Sequence, residues 1–359
     1  MDRSHSDLES VRRRPGMYVG DTRDGSGLVH MIWEVVANSL DEHLAGRCDR
    51  ISVDIREDGA ISVDDNGRGF PLHDVDGTSF VERALTSFHN TPTLDGHRPH
   101  EHVGMHGVGL FPVNALSSWL VLEVFSERRH YAQRFELGIP TTKMLDTGTA
   151  ERSGTRITFA PDPSIFTSTW VDPGMVARRL RELSWLLPGL TLEFHDSQRH
   201  RFHQLDGLQG FLQANKPGTS ETLLVDGSIG EIRVEAAARW HAYPWSTIES
   251  FANIERTTEG GTHVRGMLAG LAQGLRTAAP DACRHNRSKQ LENVISQGLD
   301  AVVCIRLNDP KYGGPTRNRL VTPAAETAVK KCVSKAFATF VREHQSLLQR
   351  FVAALGVAG

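Results

Sequence analysis

The stretch LVHMIWEVVANSLDEHLAG, residues 28–46, constrains the fold more than any other segment of the 359-residue chain. It reads as a helix that follows a loop ending at Gly25 to Gly27 and closes at Gly46. At about 100° per residue, His30, Glu34, Asn38 and Asp41 fall within an arc of roughly 80°. Met31, Ile32, Val35, Val36 and Leu40 occupy the other faces, so the polar stripe borders an apolar core. A solvent face would normally carry Lys and Arg, and this stripe carries neither. Taken alone, the pattern still admits an ordinary amphipathic helix.

Two further segments point to a ligand. Asp65-Asn66-Gly67-Arg68-Gly69 follows an alternating strand, where paired glycines allow close backbone approach and a strand-end acid can accept a hydrogen bond from a base edge. Gly104-Met105-His106-Gly107-Val108-Gly109 leads into a helix, whose free N–H groups suit an anion. It is not a phosphate loop of the GK[ST] type, and no parallel βαβ unit surrounds it as a dinucleotide fingerprint requires. Singly, the first could be a plain turn and the second a chance glycine pattern.

Along the rest of the chain, ISVDIRE and AISVDD around Asp58-Gly59 read as a hairpin, and TSFVERALTSF as a helix. WLVLEVFS, HYAQRFEL and GTRITFAP read as strands of a mostly antiparallel sheet, and VARRLRELSWLL as an amphipathic helix. Near residue 205 the pattern resets. Strands at ETLLVDG, GEIRVEAAARWH and LDAVVCIRL, a helix at GGTHVRGMLAGLAQGL and one long helix from Ala324 towards Leu355 indicate a second α/β sandwich. The expected fold class is α+β, with a two-layer α/β sandwich over residues 1–205 and the second domain over 206–359.

A formal charge of −3 gives no electrostatic case for direct nucleic-acid binding. The basic runs Arg12-Arg13-Arg14, Arg178-Arg179 and Lys330-Lys331 read as solvated surface. Cys48, Cys283, Cys304 and Cys332 are scattered, as expected of reduced thiols in a soluble cytoplasmic protein, and nothing resembles a signal peptide or a membrane span. Five histidines between His89 and His106 could hold a metal, but a polar loop is the plainer reading.

In order and spacing, the three ligand-pointing segments together resemble the Bergerat-fold ATPases, and within them gyrase B and its relative ParE. RRRPGMYVGDT, the residue 28–46 helix, DDNGRGFP, GMHGVG with VNALS, RLRELSWL, EGGTHVRG and DPKYGGPTRNRL all look like that family's signatures. The resemblance implies a Bergerat ATP-binding domain followed by a transducer domain like domain 2 of ribosomal protein S5. It implies ATP and Mg²⁺ as ligands. Glu34 would act as general base with His30 tuning it, and Asn38 would be the Mg²⁺ ligand. Asp65 would accept the adenine amino group, with Gly69 and Thr155 lining the base pocket. Glu42 and Arg68 would form an ion pair at its mouth, with Pro71 packing nearby. Gly104, His106, Gly107, Val108 and Gly109 would wrap the triphosphate, and Arg317 would reach the γ-phosphate.

This sequence departs from the family at Arg317 and Pro315, where a lysine and a glutamine are usual, at Thr93 and His100 in place of phosphate-contacting residues, and at Ala37 in place of an aspartate. The segment before RRRPGM is short. No EGDSA-like segment or DxD cluster of a Toprim domain is present, so the expectation is an ATPase module that cannot cleave DNA by itself, either a divergent free-standing paralogue or an excised fragment of a longer protein. Implied partners are ATP, a second copy of the chain on nucleotide binding, and gyrase or topoisomerase subunits, with no direct DNA or membrane contact. The competing expectations are a nucleotide- or inhibitor-binding decoy with little turnover and a repurposed phosphotransferase.

Overall fold

The computed structural model describes residues 3–75, 77–88, 109–215, 221–314 and 317–357, and the chain divides into two units, Met1–Gln204 and Leu205–Gly359. The first unit runs α1 (Arg3–Arg13), α2 (Gly16–Val19), α3 (Ser26–Leu44), β1 (Arg50–Ile55), β2 (Ile61–Asp65), β3 (Asp74–Val75), β4 (Thr78–Ser79) and α4 (Phe80–Thr86). It continues with α5 (Leu110–Ala115), β5 (Ser117–Ser126), β6 (Arg129–Glu136), β7 (Ile139–Pro140), β8 (Leu145–Thr149), β9 (Gly154–Pro161), α6 (Pro173–Leu186), β10 (Thr191–His195) and β11 (Arg199–His203).

The main sheet has the order β11-β10-β1-β2-β9-β5-β6-β7, with β8 also on β6, and only the β1–β10 pair is parallel. Strand alternation sends Ile61, Val63 and Asp65 towards α3, while Ser62 and Asp64 face the other side, bonded to Thr158, Arg152 and Arg156. Helices α3, α5 and α6 cover the sheet through β2 and β9, β5, and β10 and β11 respectively. Local chemistry sets the element ends. Asp58 caps the β1–β2 turn by accepting from the Ala60 N–H at 3.0 Å. Asp172 caps α6 with Pro173 at its first position. Pro112 sits in the first turn of α5, where no N–H is required of it.

The second unit comprises α7 (Gly207–Asn215), β12 (Leu223–Ile229), β13 (Ile232–Trp240), β14 (Thr247–Ala252), β15 (Glu255–Arg256), α8 (Thr262–Ala278), α9 (Pro280–Cys283), α10 (Ser288–Ser296), β16 (Leu299–Arg306), α11 (Pro323–Glu343) and α12 (Gln345–Val357). Its sheet order is β12-β13-β16-β14-β15, and α8, α9 and α10 lie in the crossover between parallel β14 and β16. Helices α8 and α11 approach closely because Gly266, Gly270 and Gly274 line one stripe of α8. A Cβ on Gly270 would stand 2.9 Å from the Lys330 carbonyl and from Val333 Cβ.

Three expectations are corrected. The single helix from Ala324 is two helices broken at His344, which leaves helical geometry (φ −110°, ψ 71°) and stacks on Phe340 with ring centroids 4.0 Å apart. The break turns α12 so that Phe351 packs edge-on against Trp240. Arg12 and Arg179 are half-buried and paired: Arg12 bonds the Ala115 carbonyl and Asp162, and Arg179 pairs with Glu182 at 2.6 Å.

Overpacking a close helix contact costs about 1–3 kcal/mol. Gly270→Ala is therefore expected to lower the thermal midpoint of the second unit measurably. Gly356→Ala, with open space around it on α12, should not lower it; equal midpoints for the two variants in calorimetry would contradict the packing account.

Candidate functional site

Helix α3 carries most of the site. Its buried residues Leu28, Met31, Ile32, Val35, Val36 and Leu40 anchor it to the core. That leaves the His30–Glu34–Asn38 stripe partly exposed, as the spacing predicts: the His30 and Glu34 side chains are 46% and 30% accessible. His30 Nε2 lies 3.2 Å from Glu34 Oε1, one turn apart. Asn38 donates its Nδ2 to the Glu34 carbonyl at 2.7 Å, which turns its Oδ1 away from the helix backbone.

The same helix reaches β2 from its buried side. Ser39 Oγ donates to Asp65 Oδ2 at 2.8 Å, while Asp65 Oδ1 accepts the Gly67 N–H at 2.9 Å and the Thr155 N–H at 3.2 Å. Asp65 is 5% exposed. Burial pushes its carboxyl above the ordinary value and neighbouring Asp64 adds to the rise, while the bonds from Gly67, Ser39 and Thr155 oppose it. Thr155 thus touches Asp65 through its backbone. Behind the strand, Arg152 grips Asp64 with two bonds of 2.6 and 2.7 Å, and Arg156 adds a third at 2.6 Å.

Glu42, one turn beyond Asn38, sits among two guanidinium groups. Arg47 bonds it at 3.0 and 3.1 Å, and Arg68 approaches at 3.4 Å while its backbone N–H donates at 3.3 Å. Burial alone would raise the Glu42 carboxyl, yet these bonds and charges hold it below its usual value. The turn after β2 needs Gly69 at φ +91°, where a Cβ would also press within 3.0 Å of the Phe125 carbonyl. Arg68, Gly69, Phe70, Pro71, Leu72 and His73 line a cavity of ≈ 420 Å³, closed by Ser126, Glu127 and Tyr131.

Gly109 completes the described part of the site. A Cβ there would stand 2.1 Å from Glu34 Oε2, so glycine lets the start of α5 lie against that carboxylate without displacing it. Gly104, His106, Gly107 and Val108, with Thr93, His100, Pro315 and the histidines of residues 89–106, lie outside the described residues. Arg317 belongs to the second unit. It holds φ +56° in the turn between Lys311–Gly313 and Arg319–Val321, where the Gly313 N–H meets the Arg319 carbonyl and the Val321 N–H the Lys311 carbonyl.

The fold thus brings Glu34, His30, Asn38, Glu42, Asp65, Arg68, Gly69, Thr155 and Gly109 into one neighbourhood around α3, with Pro71 on the adjoining cavity. Sequence reasoning misses Ser39 and Arg47. Ser39 leaves a signal, a hydroxyl among apolar positions of α3; Arg47 leaves none. Among the described residues no cluster of three or more His, Cys, Asp or Glu could hold a metal, and no helix is long and apolar enough to cross a membrane. All four cysteines are free thiols.

Asp65 yields a pH prediction. The folded chain binds the Asp65 proton more tightly than the unfolded chain, so the ionised carboxylate weakens the nucleotide-free fold at neutral pH. That penalty fades as pH falls through the raised value towards the ordinary carboxylate range near about 4. In Asp65→Asn the carboxamide oxygen keeps both backbone N–H bonds and its Nδ2 can donate to Ser39. The variant should melt at or above the parent temperature at pH 8, with the gap closing towards pH 4. A variant that melts lower at pH 8 and gains nothing on acidification would refute the assignment.

Residues 23–165 match the family described as histidine kinase-, DNA gyrase B-, and HSP90-like ATPase, and residues 207–355 match the DNA gyrase B family. The DNA gyrase B protein of Halalkalibacterium halodurans is 37% identical over 96% of this chain, and that of Thermotoga maritima 35% over 91%. The chain spans 56% and 54% of those two proteins, about half their length. Among solved structures, the 43K ATPase domain of Thermus thermophilus gyrase B, in complex with an aminocoumarin, aligns with a TM-score of 0.83 at 33% identity. That alignment covers 98% of this chain and 94% of that one. The gyrase B protein of Myxococcus xanthus aligns at 0.82 and 27% identity, covering 96% and 99%. With its signatures in order and nearly its whole length matched by these relatives, the chain belongs to the DNA gyrase B family.

Proposed function

We propose that this chain binds ATP with Mg²⁺ at the α3 site and hydrolyses it. The observation that carries the reading is that one rigid helix holds both ends of the site: Ser39 fixes the buried acceptor Asp65, and five residues earlier Glu34 lies against Gly109. Asp65 would take the adenine amino hydrogen bond at the closed end, with Gly69 and Thr155 beside the base. Arg68, held by Glu42, and Pro71 would border the mouth. The phosphates would extend towards Glu34 and the start of α5, where Gly109 and the preceding Gly104, His106, Gly107 and Val108 would wrap them.

Phosphoryl transfer asks little covalent chemistry of a protein, so positioning and charge do most of the work. Glu34 would hold the attacking water in line and accept its proton, with His30 at 3.2 Å orienting the carboxylate. Asn38 fits a Mg²⁺ ligand because its Nδ2 is committed to the Glu34 carbonyl, leaving Oδ1 as a hard oxygen donor. The bound ion would neutralise phosphate charge. By the family resemblance, Arg317 would supply a further cation to the γ-phosphate; unlike a lysine, it offers a planar fork of donors. Association of two chains on nucleotide binding, service to gyrase or topoisomerase subunits and a cytoplasmic setting belong to the same proposal.

Glu34→Gln is expected to cut phosphate release on the order of 100-fold or more while leaving affinity for a non-hydrolysable ATP analogue within about twofold. Asp65→Asn should do the reverse, weakening binding first. Turnover of Glu34→Gln at the parental rate would remove the assigned base, and tight binding with no phosphate release by the parent would leave a nucleotide sensor.

A further inference from the structure

Arg12 stands outside the site, on the N-terminal helix α1, yet it grips the element that faces Glu34. Its Nη1 donates to the Ala115 carbonyl at 2.7 Å, and its Nη2 meets Asp162 Oδ2 at 2.5 Å. Ala115 is the last residue of α5, so the guanidinium caps one of the carbonyls that a helix end leaves without a helical partner. Asp162 is itself anchored: its Oδ1 accepts the Ser164 N–H at 2.8 Å and the Ser164 hydroxyl at 2.7 Å, and its N–H donates to the Leu116 carbonyl at 3.0 Å.

All six residues of α5 are buried. Asn114 provides a second anchor, donating Nδ2 to the Leu85 carbonyl at 2.8 Å, near the end of α4, and to the Gly138 carbonyl at 3.2 Å. A helix of this length is about 9 Å long and moves as one piece. A shift of its Ala115 end along the axis therefore carries Gly109 with it, and Gly109 lies close enough to Glu34 that an added Cβ would stand 2.1 Å from Oε2.

We propose that Arg12 is a positioning residue for the Glu34 centre: it ties α1 to the C-terminal end of α5 and thereby sets how closely Gly109 lies against Glu34. The functional half of this inference rests on the reading of Glu34 as the hydrolytic base. Its consequence is regulatory, because any contact that draws α1 away from α5 would slow turnover without touching the adenine pocket.

Arg12→Met keeps the side-chain stem and helix propensity while removing both donors. In the full chain, below the melting temperature of each variant, Arg12→Met is expected to lower kcat for ATP about tenfold with KM held within about twofold. Amide hydrogen exchange at Val113 and Leu116 should accelerate. Arg12→Lys, a point charge that cannot bridge both acceptors, should recover part of each loss, and Arg13→Met on the exposed side of α1 should change neither. Asp162→Asn, which keeps the Ser164 turn, should shift both readouts in the same direction and serves if Arg12→Met does not fold.

Parental kcat together with parental exchange at Val113 and Leu116 in Arg12→Met or Asp162→Asn would overturn the inference. So would a fall in kcat that only tracks the unfolded fraction. Glu34→Gln separates the two claims. If it retains turnover, the hydrolytic reading fails, and exchange at Val113 and Leu116 alone decides whether Arg12 positions α5. If it abolishes turnover while Arg12→Met stays parental on both readouts, only the present inference falls.

Discussion

In the first unit, the buried Asp65 side chain constrains three elements at once, beginning with its bond to Ser39. A carboxylate with 5% exposure is costly to bury unless its oxygens are engaged, and its donors come from three separate elements: α3, the turn after β2 and β9. Those elements must therefore sit in one register for the acid to be tolerated at all. Once they do, the rest of α3 is placed as well, and Glu34 comes to lie where Gly109 leaves space for it. The cost of burying Asp65 and the geometry of the candidate site are consequences of one arrangement.

The opposite face of the sheet steadies that arrangement. Asp64 turns away from Asp65 by strand alternation and is held by Arg152 and Arg156, the second of them next to Thr155. Arg152 also lies over the Phe125 ring at 3.8 Å. The second unit is organised by different means. Glycines of α8 admit the backbone of α11, and Trp240 stacks on Phe337 while its indole N–H bonds the Ile295 carbonyl.

Legibility in sequence followed the range of the interactions. The α3 stripe, the β1–β2 hairpin and the Gly69 turn could be read because each depends on residues a few positions apart. The break at His344 could not: helix propensity continues through it, and the turn is favoured by Phe351 finding Trp240, a contact across more than a hundred residues. Arg12 looked like one of three equivalent arginines. Its acceptors, Ala115 and Asp162, lie 103 and 150 residues away, and no local pattern marks which arginine of the run will face inward. Ser39 left a trace in its position among apolar neighbours, whereas Arg47 became a partner of Glu42 only once the chain after α3 had turned back.

The sequence by itself determined which faces had to be buried and where the polar stripe of α3 and the Gly69 turn would fall, because hydrophobic period, capping and glycine placement act within a few residues. Tertiary structure alone decided which polar groups share a bond: Asp65 with Ser39 and the Thr155 backbone, Glu42 with both Arg47 and Arg68, Arg12 with the end of α5. Those pairings depend on strand register and on helix placement over the sheet, which are set by packing of the whole unit.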